Sequence, residues 1–205
     1  MARGRSADWD LNREAILRSA TRLFAAQGYP GTSMSDLARE CGISKPLLYH
    51  YVSDKYELLR EITEGHVSRL EALVGEVDAL ALAPLPRLRE LIRRFVHEYA
   101  QARHDHGVLT QDVKFLEPKD RNRVLRKERA VVAAFAATIA EARPELARAA
   151  LDKPLTMLLF GMINWMFTWL QPEGALSHDA MAPIVADLFL GGLGAVQPPS
   201  VKARP

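Results

Sequence analysis

Apolar positions along most of the chain recur at the three- and four-residue spacing of an α-helix. The first such segment runs from about residue 10 to residue 27 and ends before Gly28. Its apolar face holds Ile16, Ala20, Leu23 and Phe24. An alternating run of β-branched residues, the pattern typical of a strand, occurs nowhere in the sequence. The sequence therefore predicts an all-α protein.

Two short amphipathic segments follow within residues 33–52. Ser33 begins a capping-box pattern at the start of the first segment, and Gly42 is placed to end it. Ser44 and Pro46 mark the start of the second, because a serine oxygen can cap free N–H groups and proline has no N–H to leave unpaired. Two short helices joined by a tight turn predict a helix-turn-helix, whose second helix enters the DNA major groove.

The second short segment divides into an inner and an outer face. Leu48 and Val52 are expected to be buried in the core, because these two apolar residues lie four positions apart on one face of the helix. A helix this short is not stable alone, so the preceding helices must support it from behind while its outer face stays free. The side chains left for the outside and the flanks are Lys45, Pro46, Leu47, Tyr49, His50 and Tyr51.

The helical pattern continues from residue 54 to near the end of the chain. Asp54 can start a long helix that extends to about Val77, and the proline-containing segment 81–86 follows it. Gly107 is expected to separate the next two helices. The remaining helical patterns cover about 86–104, 108–116, 119–139, 155–170 and 177–189.

The segments 155–170 and 177–189 carry a large apolar surface. The first is apolar on nearly all sides, which indicates burial on more than one side. It has sixteen residues with Asn164 inside, short of the roughly 20 needed to cross a bilayer, so no membrane partner is predicted. Pairing both helices with their copies predicts a homodimer held by a four-helix bundle.

The motifs between residues 10 and 60 are specific when taken together. They are Leu23-Phe24-Ala25-Ala26-Gln27-Gly28-Tyr29, Gly31-Thr32-Ser33-Met34 with Leu37-Ala38, Gly42-Ile43-Ser44, Leu48-Tyr49-His50-Tyr51, and Lys55 with Leu58-Leu59. This stretch resembles the DNA-binding domain of TetR/AcrR-type transcriptional regulators. Two positions depart from the family's pattern: Val52 stands where most members carry Phe, and Leu47 where Thr or Ser is often found.

The resemblance implies an N-terminal three-helix helix-turn-helix DNA-binding domain and a C-terminal helical domain for ligand binding and dimerisation. It implies a transcriptional regulator, most often a repressor, that binds a double-stranded DNA operator. Two recognition helices of a dimer must meet successive major grooves about 34 Å apart, so the operator is expected to be roughly palindromic. The expected division is a flexible basic arm at 1–9, the DNA-binding domain at 10–55 with its recognition motif at 33–52, the ligand-binding and dimerisation domain at 56–195, and a disordered tail at 196–205.

The resemblance also assigns roles within the DNA-binding domain. The candidates for base contacts are Lys45, Leu47 and Tyr51, with Ser35 from the preceding helix. The candidates for phosphate contacts are Thr32, Tyr49, His50 and Lys55. The predicted DNA-binding surface is completed by Ser33 and Pro46.

Aromatic and flexible side chains of the body are sufficient to line a cavity, and members of the family hold a ligand pocket there. Asn164 is the most informative of them, because a buried amide without a partner costs on the order of 1 to 3 kcal/mol and can bond a ligand or its counterpart across a dimer. The alternative is that all of these side chains are ordinary core. The candidates for ligand binding are Phe95, Tyr99, Phe115, Met157, Phe160 and Asn164.

The expected effector is a small hydrophobic molecule. Segments 161–169 and 187–193 look similar to family members that respond to acyl-CoA thioesters. The basic run 119–129 can meet the phosphates of coenzyme A or form a solvated charged face. A sensor of drugs or other hydrophobic metabolites is the alternative, and a cationic drug would more naturally require Asp or Glu among the pocket aromatics.

Charge and cysteine content bear on partners and compartment. The net charge is +2, and residues 1–60 hold nine Lys and Arg against seven Asp and Glu. So small an excess means that DNA affinity must come from specific contacts and two copies of the domain more than from bulk charge. The single cysteine, Cys41, excludes an internal disulfide, and the charged first ten residues do not resemble a secretory signal, so a cytoplasmic location is expected.

Sequence motifs of catalysis and metal binding are absent. The chain contains neither a phosphate-binding loop with Gly-Lys-Ser/Thr nor a nucleophile elbow, and the glycine-rich segment 191–194 lacks the strand of a dinucleotide fingerprint. His97, His104 and His106 lie near Asp105, but their spacing matches no metal-ligand set. No catalytic residue, cofactor or metal is therefore predicted. An all-helical enzyme is the rival class, and a gel shift with an operator-length duplex separates it from a DNA-binding protein.

Overall fold

The computed structural model describes residues 7–170 and 176–198, and in these residues all regular structure is helical. This confirms the predicted all-α class. A 3₁₀ turn at Val113–Phe115 follows the sixth α-helix. The α-helices are α1 Ala7–Gly31, α2 Met34–Glu40, α3 Lys45–Tyr51, α4 Lys55–Asp78, α5 Pro84–Gln101, α6 Arg103–Asp112, α7 Pro118–Ala142, α8 Pro144–Arg148, α9 Asp152–Trp169 and α10 His178–Ala195.

Helix α1 begins earlier than the predicted start near residue 10. Its first turn carries Asp8 and Asp10, whose negative charges are favourable beside the free N–H groups of a helix N-terminus. Gly28 interrupts the helical geometry with φ 76° and ψ 155°, a conformation that glycine adopts without steric cost. The regular part of α1 therefore ends at the predicted position, and a last short turn leads towards α2.

The capping box predicted at Ser33 is present at the start of α2. The Ser33 hydroxyl accepts a hydrogen bond from the Asp36 backbone N–H at 3.2 Å, and the Asp36 carboxylate accepts one from the Ser33 N–H at 3.0 Å. Gly42, with φ 65°, ends the helix and lets the Ile43 N–H reach the Ala38 carbonyl at 3.0 Å. The tight turn between α2 and α3 is the result.

Helix α3 begins and packs as its sequence predicts. The Ser44 hydroxyl accepts from the Leu47 N–H at 3.3 Å, and Pro46 lies in the first turn. Leu48 and Val52 are 0% and 2% exposed, respectively. Full burial of a leucine or valine side chain stabilises a fold by about 1.5 to 3 kcal/mol, which a seven-residue helix needs in order to form.

The described residues form two compact units. The first contains the residues up to 68 together with 104–125, and the second contains 69–103 together with those from 126 onwards. Helices α4 and α7 each contribute residues to both units. The first unit therefore joins the helix-turn-helix to the start of α4, to α6 and to the start of α7.

Each unit has its own apolar core. The core of the first unit includes Ile16, Phe24, Leu37, Leu48, Leu58 and Val108. The core of the second unit includes Leu73, Leu91, Phe95, Phe135, Ile163 and Phe189. In the second unit, the Phe135 ring lies edge-on to the rings of Phe95 and Phe160, with centroid distances of 4.9 and 5.0 Å.

Two details of the helical body differ from the sequence prediction. The break expected at Gly107 lies instead at Ala102, and Gly107 is a buried residue within α6. The short helix α8 was not predicted, and it begins where Pro144 provides a preset φ angle for a first turn. Among the described helices, none combines the length and apolar character required to cross a membrane.

Candidate DNA-binding surface

The outer face of α3 is open to solvent. Lys45, Pro46 and His50 are exposed, and the apolar or aromatic side chains of Leu47 and Tyr49 are 42% and 48% exposed. A seven-residue helix that leaves these groups in water has an outer face suited to a partner. The structure brings these five predicted contact residues together on one surface, which we call the α3 outer face.

The two serines predicted to contact DNA from the start of α2 have different environments. Ser33 is exposed, but its hydroxyl donates to the Asp36 carboxylate at 2.6 Å and also accepts the capping hydrogen bond. Ser35 is exposed on the first turn of α2. Ser35 is therefore the better placed of the two to offer its hydroxyl to DNA.

Thr32 is buried, which the sequence did not indicate. The residue is only 2% exposed. The hydroxyl donates to the Gly28 carbonyl at 3.0 Å and accepts from the Gln27 side-chain amide at 3.1 Å. These contacts give the hydroxyl an internal role in the turn between α1 and α2. The predicted phosphate contact of Thr32 stays a prediction.

Lys55 makes internal contacts with the same turn. Its ammonium donates to the carbonyls of Tyr29 and Thr32, both at 2.9 Å, and lies 4.4 Å from the centroid of the Tyr29 ring. Hydrogen bonds from a charged donor are stronger than neutral ones, and a cation over an aromatic ring adds to them. Lys55, which is half-buried, thus joins the start of α4 to the turn before α2. Its predicted phosphate contact stays a prediction.

Tyr51 is half-buried and is held by residues of α1 that the sequence reasoning missed. The ring of Trp9 lies 5.6 Å from the Tyr51 ring, and the Asn12 side-chain Nδ2 donates to the Tyr51 hydroxyl at 3.2 Å. Trp9, Asn12 and Arg13 are spaced i, i+3 and i+4, which places them on one face of α1. That spacing, next to a predicted helix start, is the signal that could have found them.

Arg13 joins α1 to α4. Its guanidinium contacts both carboxylate oxygens of Glu61 at 2.6 Å and one oxygen of Glu57 at 2.8 Å. The hydrogen bonds to Glu61 are the largest cause of a raised pKa of Arg13. The guanidinium also lies 5.9 Å from the Trp9 ring centroid. The N-terminal turns of α1 are therefore fixed on two sides.

A cleft of about 240 Å³ lies beside the α3 outer face. Its wall includes the half-buried thiol of Cys41, whose pKa is raised by burial. The residues that line it are Asn12, Ala15, Ile16, Ser19, Glu40, Cys41, Ile43, Leu47 and Tyr51. Residues of α1, α2 and α3 therefore meet at the edge of the surface that carries Leu47 and Tyr51.

Further contacts within the first unit connect the turn before α2 to α6. The buried carboxylate of Asp112, the last residue of α6, accepts from the Tyr29 backbone N–H at 3.1 Å. Burial raises the pKa of Asp112. The Tyr29 backbone is thus bonded on its N–H side by α6 and on its carbonyl side by Lys55.

Two buried histidines meet between α4 and α6. His66 Nε2 and His106 Nδ1 are 3.3 Å apart. Burial lowers the pKa of His66 to about 4 and that of His106 to about 3. Among the described residues, no group of three or more His, Cys, Asp or Glu side chains is arranged to hold a metal ion. His97, another residue considered for metal binding, lies 2.7 Å from the Asp179 carboxylate.

The aromatic residues predicted to bind a ligand occupy two places. Phe95, Tyr99 and Phe160 are buried in the second unit, where the Phe95 ring lies 6.0 Å from Tyr99 and 6.1 Å from Phe160. Phe115 belongs to the first unit and is 39% exposed, and its ring contacts the Tyr29 ring at 5.7 Å. The structure therefore groups three of the four aromatic candidates and places Phe115 elsewhere.

Asn164 and Met157 lie on the same side of α9. Met157 is 53% exposed. The Asn164 side-chain oxygen is buried, and within the described residues it accepts no hydrogen bond. A buried acceptor without a donor costs on the order of 1 to 3 kcal/mol, so this oxygen marks a place where a further donor is missing.

Large apolar side chains on α9 and α10 are exposed. The two most exposed are Trp165 at 67% and Leu188 at 66%. By helical spacing, Leu158, Trp165 and Trp169 share one face of α9, and Ile184 and Leu188 share one face of α10. Large exposed apolar surface of this kind usually marks an interaction site. The exposed residues of this kind are Met157, Leu158, Trp165, Trp169, Ile184 and Leu188.

Sequence profiles of known families cover both parts of the chain. The profile described as bacterial regulatory proteins, tetR family, matches residues 16–62. The profile described as tetracyclin repressor-like, C-terminal domain, matches residues 81–193, more than half of the chain. The chain belongs to the TetR family of transcriptional regulators. It is a helix-turn-helix DNA-binding protein, as the resemblance of residues 10 to 60 implied.

Similar proteins extend over almost the whole TetR-family chain. A TetR-family regulator from Bordetella parapertussis 12822 is 34% identical, with a TM-score of 0.84, and the match covers 90% of this chain and 97% of that one. The transcriptional repressor KstR2 of Mycobacterium tuberculosis is 27% identical over 192 residues, which cover 88% of this chain and 92% of that protein. The structure of AibR in complex with isovaleryl coenzyme A and operator DNA is 24% identical, with a TM-score of 0.71, and covers 92% and 99% of the two chains.

Proposed function

We propose that this TetR-family regulator is a dimeric repressor that binds a roughly palindromic operator and is released from it by a small hydrophobic effector. The observation that carries the DNA-binding part is the α3 outer face. It combines one lysine, one histidine and exposed apolar groups on a helix whose inner side is buried. Such a helix is suited to contact base edges and thymine methyl groups in a major groove.

We assign base contacts and phosphate contacts within this surface to side chains that are exposed or half-exposed. Lys45, Leu47 and Tyr51 are the base-contact candidates, with Ser35 beside them, and Tyr49 and His50 are the phosphate-contact candidates. Phosphate contacts fix the position of a protein on the duplex, and base contacts carry the sequence preference. Substitution of Lys45 is therefore expected to change both the affinity and the sequence preference.

Dimerisation is proposed through α9 and α10. The exposed Trp165 and Leu188 side chains support this, since they would leave water on pairing with a second copy. A dimer presents two copies of α3, and a palindromic operator offers each copy the same half-site. The small charge excess of the DNA-binding end makes this doubling important for affinity.

The effector is proposed to be an acyl-CoA thioester that enters the second unit. The aromatic cluster of Phe95, Tyr99 and Phe160 supports an apolar ligand, and the missing donor at Asn164 supports a polar group near it. The AibR structure contains isovaleryl coenzyme A together with operator DNA, which supports this chemical class.

One residue favours a cationic ligand as the second candidate. Burial raises the pKa of the Glu128 carboxyl group on α7, and the charge of Glu128 contributes to the raised pKa of Tyr99 after the larger effect of burial. A cation bound beside Glu128 would stabilise its charged form, which burial disfavours, and the face of the Tyr99 ring would add to the attraction. The test of the effector therefore includes both chemical classes.

The proposed mechanism is thermodynamic coupling between the two sites. A ligand that lowers operator affinity must itself bind more weakly when operator is bound, by the same factor. A coupling free energy of about 1 to 3 kcal/mol corresponds to roughly 5- to 150-fold release. Helix α4, which is continuous from Lys55 to Asp78 and contributes residues to both units, is the proposed lever.

The experiment begins by selecting duplexes from a random-sequence pool with the full-length protein. We expect enrichment of a motif with two inverted half-sites, and its absence with retained folding would overturn the proposal. The selected duplex is then titrated in the presence of isovaleryl coenzyme A, longer acyl-CoA thioesters, the free acids and cationic dyes. Release by thioesters alone supports the acyl-CoA class, and release by dyes alone supports the cationic class.

A further inference from the structure

The hydroxyl group of Tyr51 accepts a hydrogen bond from an exposed side chain of the same chain. The Nδ2 group of Asn12 on α1 donates to it at 3.2 Å. Both residues line the cleft beside the α3 outer face, together with Leu47. This hydrogen bond therefore lies at the edge of the surface proposed to meet DNA, and one of its partners is a candidate for a base contact.

The hydrogen bond from Asn12 determines whether the Tyr51 hydroxyl donates or accepts a hydrogen bond when it meets a partner molecule. A phenolic hydroxyl has one proton to donate and lone pairs that accept. Because Asn12 already supplies a proton to a lone pair, the Tyr51 proton is not used in this contact. It is available to an acceptor on a partner molecule.

The ring of Tyr51 is also restrained, so its hydroxyl has a defined place. The Trp9 ring contacts it at 5.6 Å, and the His50 ring lies edge-on at 5.4 Å. Arg13 lies over Trp9 and is bonded to two glutamates of α4, which fixes the turn of α1 that carries Trp9 and Asn12. A donor held in place before binding loses less conformational freedom on binding than a mobile one.

We propose that Asn12 is a positioning residue for DNA recognition, which makes the Tyr51 hydroxyl a hydrogen-bond donor to an acceptor atom of the operator. This inference rests on the proposed function. Phosphate oxygens, purine N7, guanine O6 and thymine O4 are acceptors, whereas the amino groups of cytosine and adenine are donors in the major groove. The arrangement favours the first set at the position that Tyr51 faces.

A double-mutant cycle tests whether Asn12 acts through the Tyr51 hydroxyl. The four proteins are the wild type, Asn12→Ala, Tyr51→Phe and the double variant, each titrated with the duplex that the wild type selects. We expect each single variant to bind about fivefold more weakly, the range of one hydrogen bond, and the double variant to bind no more weakly than Tyr51→Phe. Independent losses that multiply in the double variant would overturn the inference.

Asn12→Asp tests the direction of the hydrogen bond between residue 12 and Tyr51. A carboxylate at position 12 has nearly the same shape but accepts only, so it would take the Tyr51 proton away from DNA. It also adds a negative charge, which repels phosphates whether or not the hydroxyl is present. We therefore expect Asn12→Asp to weaken binding at least threefold more in the wild-type background than in the Tyr51→Phe background, where only the charge acts. Equal losses in the two backgrounds would contradict the proposal.

The same variants separate this inference from the proposed function. Failure of the wild type to select any duplex would remove the proposed function itself. Wild-type selection followed by an additive cycle would remove only the role of Asn12. A repeated selection with Tyr51→Phe identifies the acceptor: altered base preference at one position of each half-site indicates a base edge, and an unchanged motif bound more weakly indicates a phosphate. Thermal melting of each variant confirms that the fold is retained.

Discussion

At the scale of single residues, the two lysines of the predicted DNA-binding set have different surroundings. Lys45 is exposed on the α3 outer face, while the ammonium of Lys55 is bonded to the Tyr29 and Thr32 carbonyls. Lys45 is the first residue of α3, and Lys55 follows the end of α3 by four residues, so sequence position alone does not reveal the difference in their surroundings. The difference comes from the turn between α1 and α2, whose carbonyls point at Lys55.

We predict that Lys55→Met lowers the free energy of unfolding by about 1 to 3 kcal/mol, because two carbonyls lose a charged donor. Lys45→Met is the matched control. It is expected to change stability by less than about 0.5 kcal/mol but to reduce the salt dependence of DNA binding by about one unit of slope. Chemical denaturation and binding titrations at several salt concentrations measure the two effects. A stable Lys55→Met variant with a reduced salt slope would instead show that Lys55 makes the predicted phosphate contact with DNA.

At the scale of elements, the two short helices depend on their caps. The Ser44 hydroxyl accepts a hydrogen bond from the Leu47 N–H in α3, and Ser33 and Asp36 form the capping box of α2. Loss of an N-cap side chain costs about 1 kcal/mol. In helices of seven residues this is a large share of the local stability.

We predict that Ser44→Ala and Ser33→Ala each lower the free energy of unfolding by about 1 kcal/mol. Ser35→Ala is the control, because Ser35 is exposed in the first turn of α2 without a capping role. Urea denaturation followed by circular dichroism compares the three variants. A Ser35→Ala variant as destabilised as the other two would show that the caps are not responsible.

The contact between α4 and α6 is expected to make the stability of the protein depend on pH. The folded-state pKa values of His66 and His106, about 4 and about 3, lie below the value of about 6.5 expected in an unfolded chain. Unfolding therefore takes up protons at acid pH. The stability that depends on these neutral rings is complete above about pH 6.5 and is lost as the pH falls towards 4, by up to about 1.4 kcal/mol per pH unit for each histidine.

We predict that replacing both histidines by glutamine reduces the slope of unfolding free energy against pH between 6.5 and 4, even if it lowers stability at pH 7. Measurement is by urea denaturation at a series of pH values. His50→Gln, on the α3 outer face, provides the control for a histidine-to-glutamine change outside this pair. An identical slope in the double variant and the wild type would exclude this pair as the source.

Much of the element level could be predicted, because its causes are local. Ser33, Gly42 and Ser44 act within four residues of their own positions, and the structure has each in the predicted role. The contacts of Thr32 and Lys55 could not be predicted, since burial depends on where a distant segment folds back. The same reason applies to Trp9 and Asn12, whose partner Tyr51 is distant in the sequence and is brought to them by folding.

At the scale of the whole molecule, the apolar surface of α9 and α10 carries the proposed assembly. We predict that Trp165→Glu and Leu188→Glu each convert the dimer to a monomer, because a charge in an apolar interface is costly to desolvate. Operator affinity is expected to fall with the loss of the second half-site contact. Sedimentation velocity and gel shift measure the two outcomes.

The matched control is Leu80→Glu, which also replaces an exposed leucine but lies in the turn after α4. It is expected to remain dimeric and to bind operator as the wild type does. A dimeric Trp165→Glu and Leu188→Glu double variant would place the interface elsewhere. The family and the all-α class could be predicted from motifs spread over about fifty residues. The proposed ligand choice rests on a few side chains such as Asn164 and Glu128, whose surroundings no motif determines.

The single cysteine offers a practical consequence. Cys41 is half-buried in the wall of the cleft beside Leu47 and Tyr51, and burial raises its pKa, so at neutral pH the thiol is mainly protonated and reacts slowly. A small maleimide applied at mildly alkaline pH would therefore label one atom per chain. Protection of that atom from alkylation would report when a duplex covers this edge of the protein, without any substitution in the sequence.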